Sequence, residues 1–173
     1  VNSSQITGKT IAVTGTEGTA ATDEDVLIVA VNASSADMSN LNVDAANVDV
    51  VFNMTSVAGT ATNIVGTNSQ DSLSNQGAGA ITFDGKGGAD TITGGSGADT
   101  LTGGEGADTI TGAAGNDTII LTETTSAVDK VVISDETVTG KDTIKGFTSG
   151  KDTLDVSALT TAAKSAITSG SHT

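Results

Sequence analysis

The chain is 173 residues long with a net charge of −14, from 21 acidic residues against seven lysines and no arginine. This balance excludes a nucleic-acid or anionic-membrane surface, since both need a basic face, and it suits solubility and cation binding. Without cysteine the chain has no disulfide and no thiolate metal site, and with His172 as the only histidine a zinc site or a Ser-His-Asp triad is not expected.

Proline, tryptophan and tyrosine are absent and only three phenylalanines are present. So thin an apolar complement means that something besides a large core must help the chain fold. No apolar run approaches the ~20 residues of a membrane span. The amino-terminal segment lacks the basic-then-apolar layout of a signal peptide, and the start at Val1 suggests a processed or excised piece.

Residues 1–65 form a Thr/Ala/Val-rich region of short apolar runs separated by Gly, Asn and Asp. Ile11–Val13, Val26–Val31, Leu41–Val43, Val48–Phe52 and Ile64–Val65 have strand-like spacing, so this region is expected to be β, with a solenoid as one form open to it. The acidic group Asp23-Glu24-Asp25 reads as a solvated turn, with a cation site as the alternative.

Residues 85–120 repeat every nine residues: GKGGADTIT, GGSGADTLT, GGEGADTIT and GAAGNDTII. Gly recurs at the first and fourth places. Asp recurs at the sixth, as Asp90, Asp99, Asp108 and Asp117, and a large aliphatic at the eighth, as Ile92, Leu101, Ile110 and Ile119. A degenerate unit with Asp71 and Leu73 precedes them one residue out of phase, and Phe83 falls at an aliphatic place. Glycine permits a tight turn at the start of each unit, and the Thr-aliphatic-Thr end makes a short strand with one inward side chain. Two units then make one coil, and coils stack ~4.8 Å apart. Asp90 is thereby brought near Asp108, and Asp99 near Asp117. Carboxylates ~5 Å apart repel by about 3 kcal/mol at an effective dielectric of ~20. A divalent cation between coils reverses the sign, and an all-oxygen ligand set suits Ca²⁺.

The pattern resembles the RTX nonapeptide family, GGxGxDxUx, a calcium-binding parallel β-roll. The match is strongest for 94–102 and 103–111. In 85–93 the second place is Lys86, and in 112–120 it is Ala113. The resemblance implies that first- and third-place carbonyls and the Asp of one turn meet second- and fourth-place carbonyls and the Asp two units on. One calcium site would then use Gly85, Gly87 and Asp90 with Gly104, Gly106 and Asp108. A second would use Gly94, Ser96 and Asp99 with Ala113, Gly115 and Asp117. The stretch with Asp142, Ile144, Phe147, Gly150, Asp152, Leu154 and Asp155 looks like the capping segment that follows such repeats; one more β-hairpin is the alternative. Val131–Ile133 reads as a strand, Ala158–Ile167 as a short helix, and the end from Ser169 as disordered.

The expected fold is all-β: a parallel β-roll or β-solenoid with calcium-binding turns over 66–122, a β-rich region over 1–65 and a carboxy-terminal cap over 123–173. The expected function is that of a secreted, extracellular or cell-surface calcium-binding structural protein, exported by type I secretion. It would support assembly as part of a surface layer, filament or adhesin by pairing with itself or with other surface proteins. Nucleic acid, a membrane span and a small-molecule substrate are not expected. With no HExxH, no GxSxG and no usable histidine, the chain is not expected to be an enzyme. The alternative is the calcium and secretion module of a type I-secreted enzyme. A lesser alternative is ice binding by the Thr91/Thr93 and Thr109/Thr111 array.

Overall fold

A computed structural model describes residues 25–31, 35–37, 48–54, 61–134 and 140–159. The runs at Ile11–Val13 and Leu41–Val43, the helix expected at Ala158–Ile167 (from residue 160) and the end from Ser169 lie outside the described residues.

Every regular element described is a strand. In chain order they are β1 (Asp25–Val31), β2 (Ser35–Asp37), β3 (Val48–Met54), β4 (Thr62–Val65), β5 (Asp71–Asn75), β6 (Ile81–Asp84), β7 (Thr91–Gly95), β8 (Thr100–Thr102), β9 (Thr109–Ala113), β10 (Thr118–Ile120), β11 (Lys130–Val132), β12 (Thr143–Lys145) and β13 (Thr153–Asp155). Odd-numbered strands form one seven-stranded sheet in the order β1-β3-β5-β7-β9-β11-β13. Even-numbered strands form a six-stranded sheet in the order β12-β10-β8-β6-β4-β2. All pairings are parallel. The chain therefore alternates between two sheets at each turn, as a β-solenoid does, and it does so before and after the nonapeptide segment as well as within it. The segment 142–156 is not a hairpin, because β12 and β13 join opposite sheets.

The core is built on two columns of side chains, with Ile81 and Leu121 buried beside them. Ile64, Phe83, Leu101, Ile119 and Ile144 stack in register along one sheet. Leu73, Ile92, Ile110 and Val131 stack along the other, with the exposed Leu154 in register at its end. Members from both columns make one cluster, and Phe83, Ile92, Leu101, Ile110, Ile119 and Val131 are fully buried. The flanking threonines point outward, also in register, as in Thr91↔Thr109 and Thr93↔Thr111. A short Thr-aliphatic-Thr strand can bury only its middle residue, so the nine-residue period fixes both columns.

Each repeat turn passes through a left-handed residue at the second place of its unit: Lys86 (φ 73°), Gly95 (φ 111°), Gly104 (φ 105°) and Ala113 (φ 72°). The left-handed region strains residues that carry a Cβ, so Lys86 and Ala113 hold this conformation at a cost that glycine avoids. Ala113→Gly is expected to raise the stability of the calcium-loaded protein by up to about 1 kcal/mol, read as a higher denaturant midpoint with unchanged slope.

Candidate metal centre

Each sixth-place aspartate stands immediately before a strand, at the edge where the chain crosses from one sheet to the other. The in-register stacking of the sheets then places aspartates of alternate turns above one another. Along the edge of the seven-stranded sheet, the N–H of Asp71 donates to Asp90 Oδ1 (2.8 Å), that of Asp90 to Asp108 Oδ1 (2.8 Å), that of Asp108 to Asp129 Oδ1 (3.0 Å) and that of Asp129 to Asp152 Oδ1 (3.1 Å). Along the other edge, the N–H of Ile81 donates to Asp99 Oδ1 (2.8 Å), that of Asp99 to Asp117 Oδ1 (2.9 Å) and that of Asp117 to Asp142 Oδ1 (3.1 Å). The pairs expected from the repeat, Asp90 with Asp108 and Asp99 with Asp117, are thus neighbouring rungs. Both ladders run past the nonapeptides.

One oxygen of each carboxylate is satisfied in this way. The other is not: Oδ2 of Asp90, Asp99, Asp108 and Asp129 is buried without a hydrogen-bond partner, and each of these residues is only 1% exposed. A buried anionic oxygen with no partner costs far more than an ordinary buried polar atom. Burial drives the carboxyl of Asp90 up to about 9, with the charges of Asp71 and Asp108 adding to the effect. It drives Asp99 to about 7, assisted by Asp117. Asp108 rises to about 6, again chiefly from burial, with charge from Asp129 and Glu123.

Backbone carbonyls converge on the same points. A Cβ added at Gly85 would collide with Asp90 Oδ2 and with the carbonyl oxygen of Gly103 on the next coil. One added at Gly94 would collide with Asp99 Oδ2 and come within 2.7 Å of the Gly112 carbonyl oxygen. Glycine at the first place is therefore what leaves room for a carboxylate oxygen and a carbonyl oxygen side by side. Among the described residues no three acidic or histidine side chains form a metal cage by themselves. An ion held here takes backbone oxygens as well, and such a hard, all-oxygen set fits Ca²⁺.

Of the other residues expected at the sites, Gly104 stacks against the Lys86 carbonyl, Gly106 against that of Gly88 and Gly115 against that of Gly97. Ala113 pairs with Gly95. The N–H of Gly87 donates to the carbonyls of Thr67 (3.2 Å) and Gly85 (3.1 Å). Ser96 donates its N–H (3.0 Å) and hydroxyl (3.3 Å) to the Gly77 carbonyl. The carbonyls of Gly103 and Gly112, absent from the expected ligand sets, lie beside the unsatisfied oxygens. Their signal was the invariant first-place glycine, read there only for the earlier turn of each pair.

The rungs outside the repeats show what closes a site. At Asp71 the Thr67 N–H donates to Oδ2 (2.7 Å) and its hydroxyl to Oδ1 (3.1 Å). At Asp152 the Thr148 N–H donates to Oδ2 (2.7 Å). Thr67 and Thr148 occupy the place that is left-handed in the four repeats, and neither is left-handed. Their N–H groups therefore turn onto the carboxylate and neutralise it with protein donors. On the other edge Ile81 replaces the aspartate. Beside it Asn75 donates its amide to the Gly94 carbonyl (2.6 Å) and accepts the Gly77 N–H (2.9 Å).

Residues 84–119 match the family model of the RTX calcium-binding nonapeptide repeat, in four copies. This segment is an RTX calcium-binding β-roll. No curated protein and no solved structure matches the chain. RTX nonapeptide repeats bind Ca²⁺, and the unsatisfied carboxylate oxygens and glycine cradles described above fit that ion.

Two predictions follow from this geometry. Gly94→Ala places a methyl group against Asp99 Oδ2 and the Gly112 carbonyl; it is expected to destabilise the β-roll by about 1–3 kcal/mol and to lower the number of bound calcium ions in a titration. The second concerns pH. The native carboxyls of Asp90, Asp99 and Asp108 lie above their unfolded value of 3.8, so the ion-free native state holds protons that the unfolded chain releases. Stability of the ion-free RTX β-roll is then greatest near pH 4 and is lost as pH rises through 6 to 9. Calcium competes with those protons, so calcium affinity rises over the same range. Thermal melts of calcium-free and calcium-loaded protein at acidic and alkaline pH are expected to show opposite trends.

Proposed function

We propose that the protein is a secreted, non-enzymatic structural protein whose RTX β-roll folds on binding calcium and supports assembly outside the cell. The observation that carries this reading is the ladder of buried carboxylates with unsatisfied oxygens. Such a ladder opposes folding where calcium is scarce and favours it where calcium is abundant. Extracellular calcium modules bind at ~10⁻⁴–10⁻³ M, which makes the ion a switch between the two sides of the cell envelope. RTX repeat proteins are typically secreted, and among the described residues no helix is long and apolar enough to cross a membrane.

Assembly is favoured by the architecture. The described sheets end on the short parallel strands β12 and β13, with Leu154 of β13 36% exposed. A solenoid end of this kind offers a strand edge on which another copy or another surface protein can stack.

Far-UV circular dichroism and light scattering, read together from chelator to millimolar calcium, test the reading. Calcium is expected to convert a largely unordered spectrum to a β spectrum while scattering rises. Magnesium, which demands a smaller octahedral shell, is expected to do neither. A calcium-folded chain that remains a compact monomer would favour a module appended to a secreted enzyme. A chain equally folded in chelator would remove the calcium switch.

A further inference from the structure

Asp129 lies beyond the last of the matched repeats, in a loop, 121–129, that contains no glycine. It is nonetheless a rung of the ladder. Its Oδ1 accepts the Asp108 N–H (3.0 Å), while its Oδ2 is buried without a partner. At the two end rungs, Asp71 and Asp152, that second oxygen is closed by the N–H four residues earlier. The residue in the same place before Asp129 is Thr125, but its N–H is held by Glu105 Oε2 (2.9 Å). The N–H and hydroxyl of Thr124 go to Glu105 Oε1 at 2.7 Å and 2.6 Å. These donors hold the Glu105 carboxyl well below its usual value, at about 2, so it stays an acceptor at any physiological pH.

No donor closes Asp129 Oδ2, and a second carboxylate, that of Glu123, belongs to the same loop. Glu123 is oriented by the Ala127 N–H, which donates to its Oε2 (2.6 Å). Its charge raises the carboxyls of both Asp129 and Asp108, so it is a near neighbour of the two. Two carboxylates in contact repel unless they share a proton or a cation.

We propose that Asp129 and Glu123, which lie beyond the four repeats, form a further divalent-cation socket with Asp108 of the third repeat, and that Glu105 is the positioning residue that keeps it open. The proposal rests on the reading of the ladder as a calcium site. The socket differs from the repeat sites in that a glutamate side chain takes the part played there by glycine turns. The three carboxylates do not close round an ion alone, so carbonyl or water oxygens complete the shell.

Equilibrium dialysis of the whole chain against Ca²⁺ near neutral pH, with circular dichroism on the same samples, tests it. Glu123→Gln is expected to weaken one ion about tenfold and leave the others unchanged. Glu105→Ala frees the Thr125 N–H to close Asp129, so it is expected to remove one ion while the β spectrum persists. Glu105→Gln, which still accepts an N–H bond, is expected to retain that ion. If Glu123→Gln and Glu105→Ala both bind the wild-type number of ions with wild-type affinities, the socket is overturned and the ladder reading stands. If the wild-type chain binds no calcium, the ladder reading falls and the socket with it.

Discussion

The structure turns on a column of buried carboxylates with too few donors. Each aspartate spends one oxygen on the N–H of the rung beside it, and that bond ties successive coils together. The same bond places the other oxygen where no protein donor reaches. In the repeats the polypeptide therefore leaves the cost of its own ladder uncompensated, although Asp152 shows that a rung can keep the stacking bond and have its second oxygen closed as well. The thin core, one buried aliphatic side chain per repeat strand, has little surplus with which to offset that cost. Stability is handed to whatever neutralises the column: protons at low pH, a divalent cation otherwise.

The contrast between rungs locates the local determinant. Asp90 and Asp71 belong to the same ladder, yet one has an unsatisfied oxygen and the other does not. The difference lies in the backbone four residues earlier, left-handed at Lys86 and not at Thr67. A left-handed residue there swings its N–H away and leaves the carboxylate open; a threonine in ordinary backbone closes it. The glycines of the repeat thus serve two ends, room for oxygens at the first place and a turned-away donor at the second. Glu105 reaches the second of these ends by another route, by capturing the donors of a turn that has no left-handed residue.

Much of this was legible in the sequence. A strict nine-residue period fixes which residue faces inward, that strands alternate between two sheets, and that Asp90 meets Asp108 and Asp99 meets Asp117. Strands β1, β3, β4 and β11 also fall where apolar runs predict them. The rest was hidden because period, not chemistry, was the visible signal. Asp129, Asp142 and Asp152 each precede a strand just as the repeat aspartates do, but loops of unequal length separate them. The family model likewise stops at residue 119. The roles of Asn75 and Glu105 depend on backbone groups of another coil, which no spacing along the chain encodes, and the four-residue spacing from Thr67 to Asp71 and from Thr148 to Asp152 shows its meaning only once the left-handed repeat turns are seen.

The capped ends have a consequence for how the molecule responds as a whole. In a stack where each coil touches only its neighbours, order spreads from rung to rung. The carboxylate ladder is bounded, by Thr67 and Thr148 on the edge of the seven-stranded sheet and by the apolar rung of Ile81 on the other, while the strands stack on past it to β1 and β2. The part of the β-roll that answers to calcium is therefore of finite size. The steepness of its response to calcium is set by the number of open rungs between the seals rather than by the length of the chain.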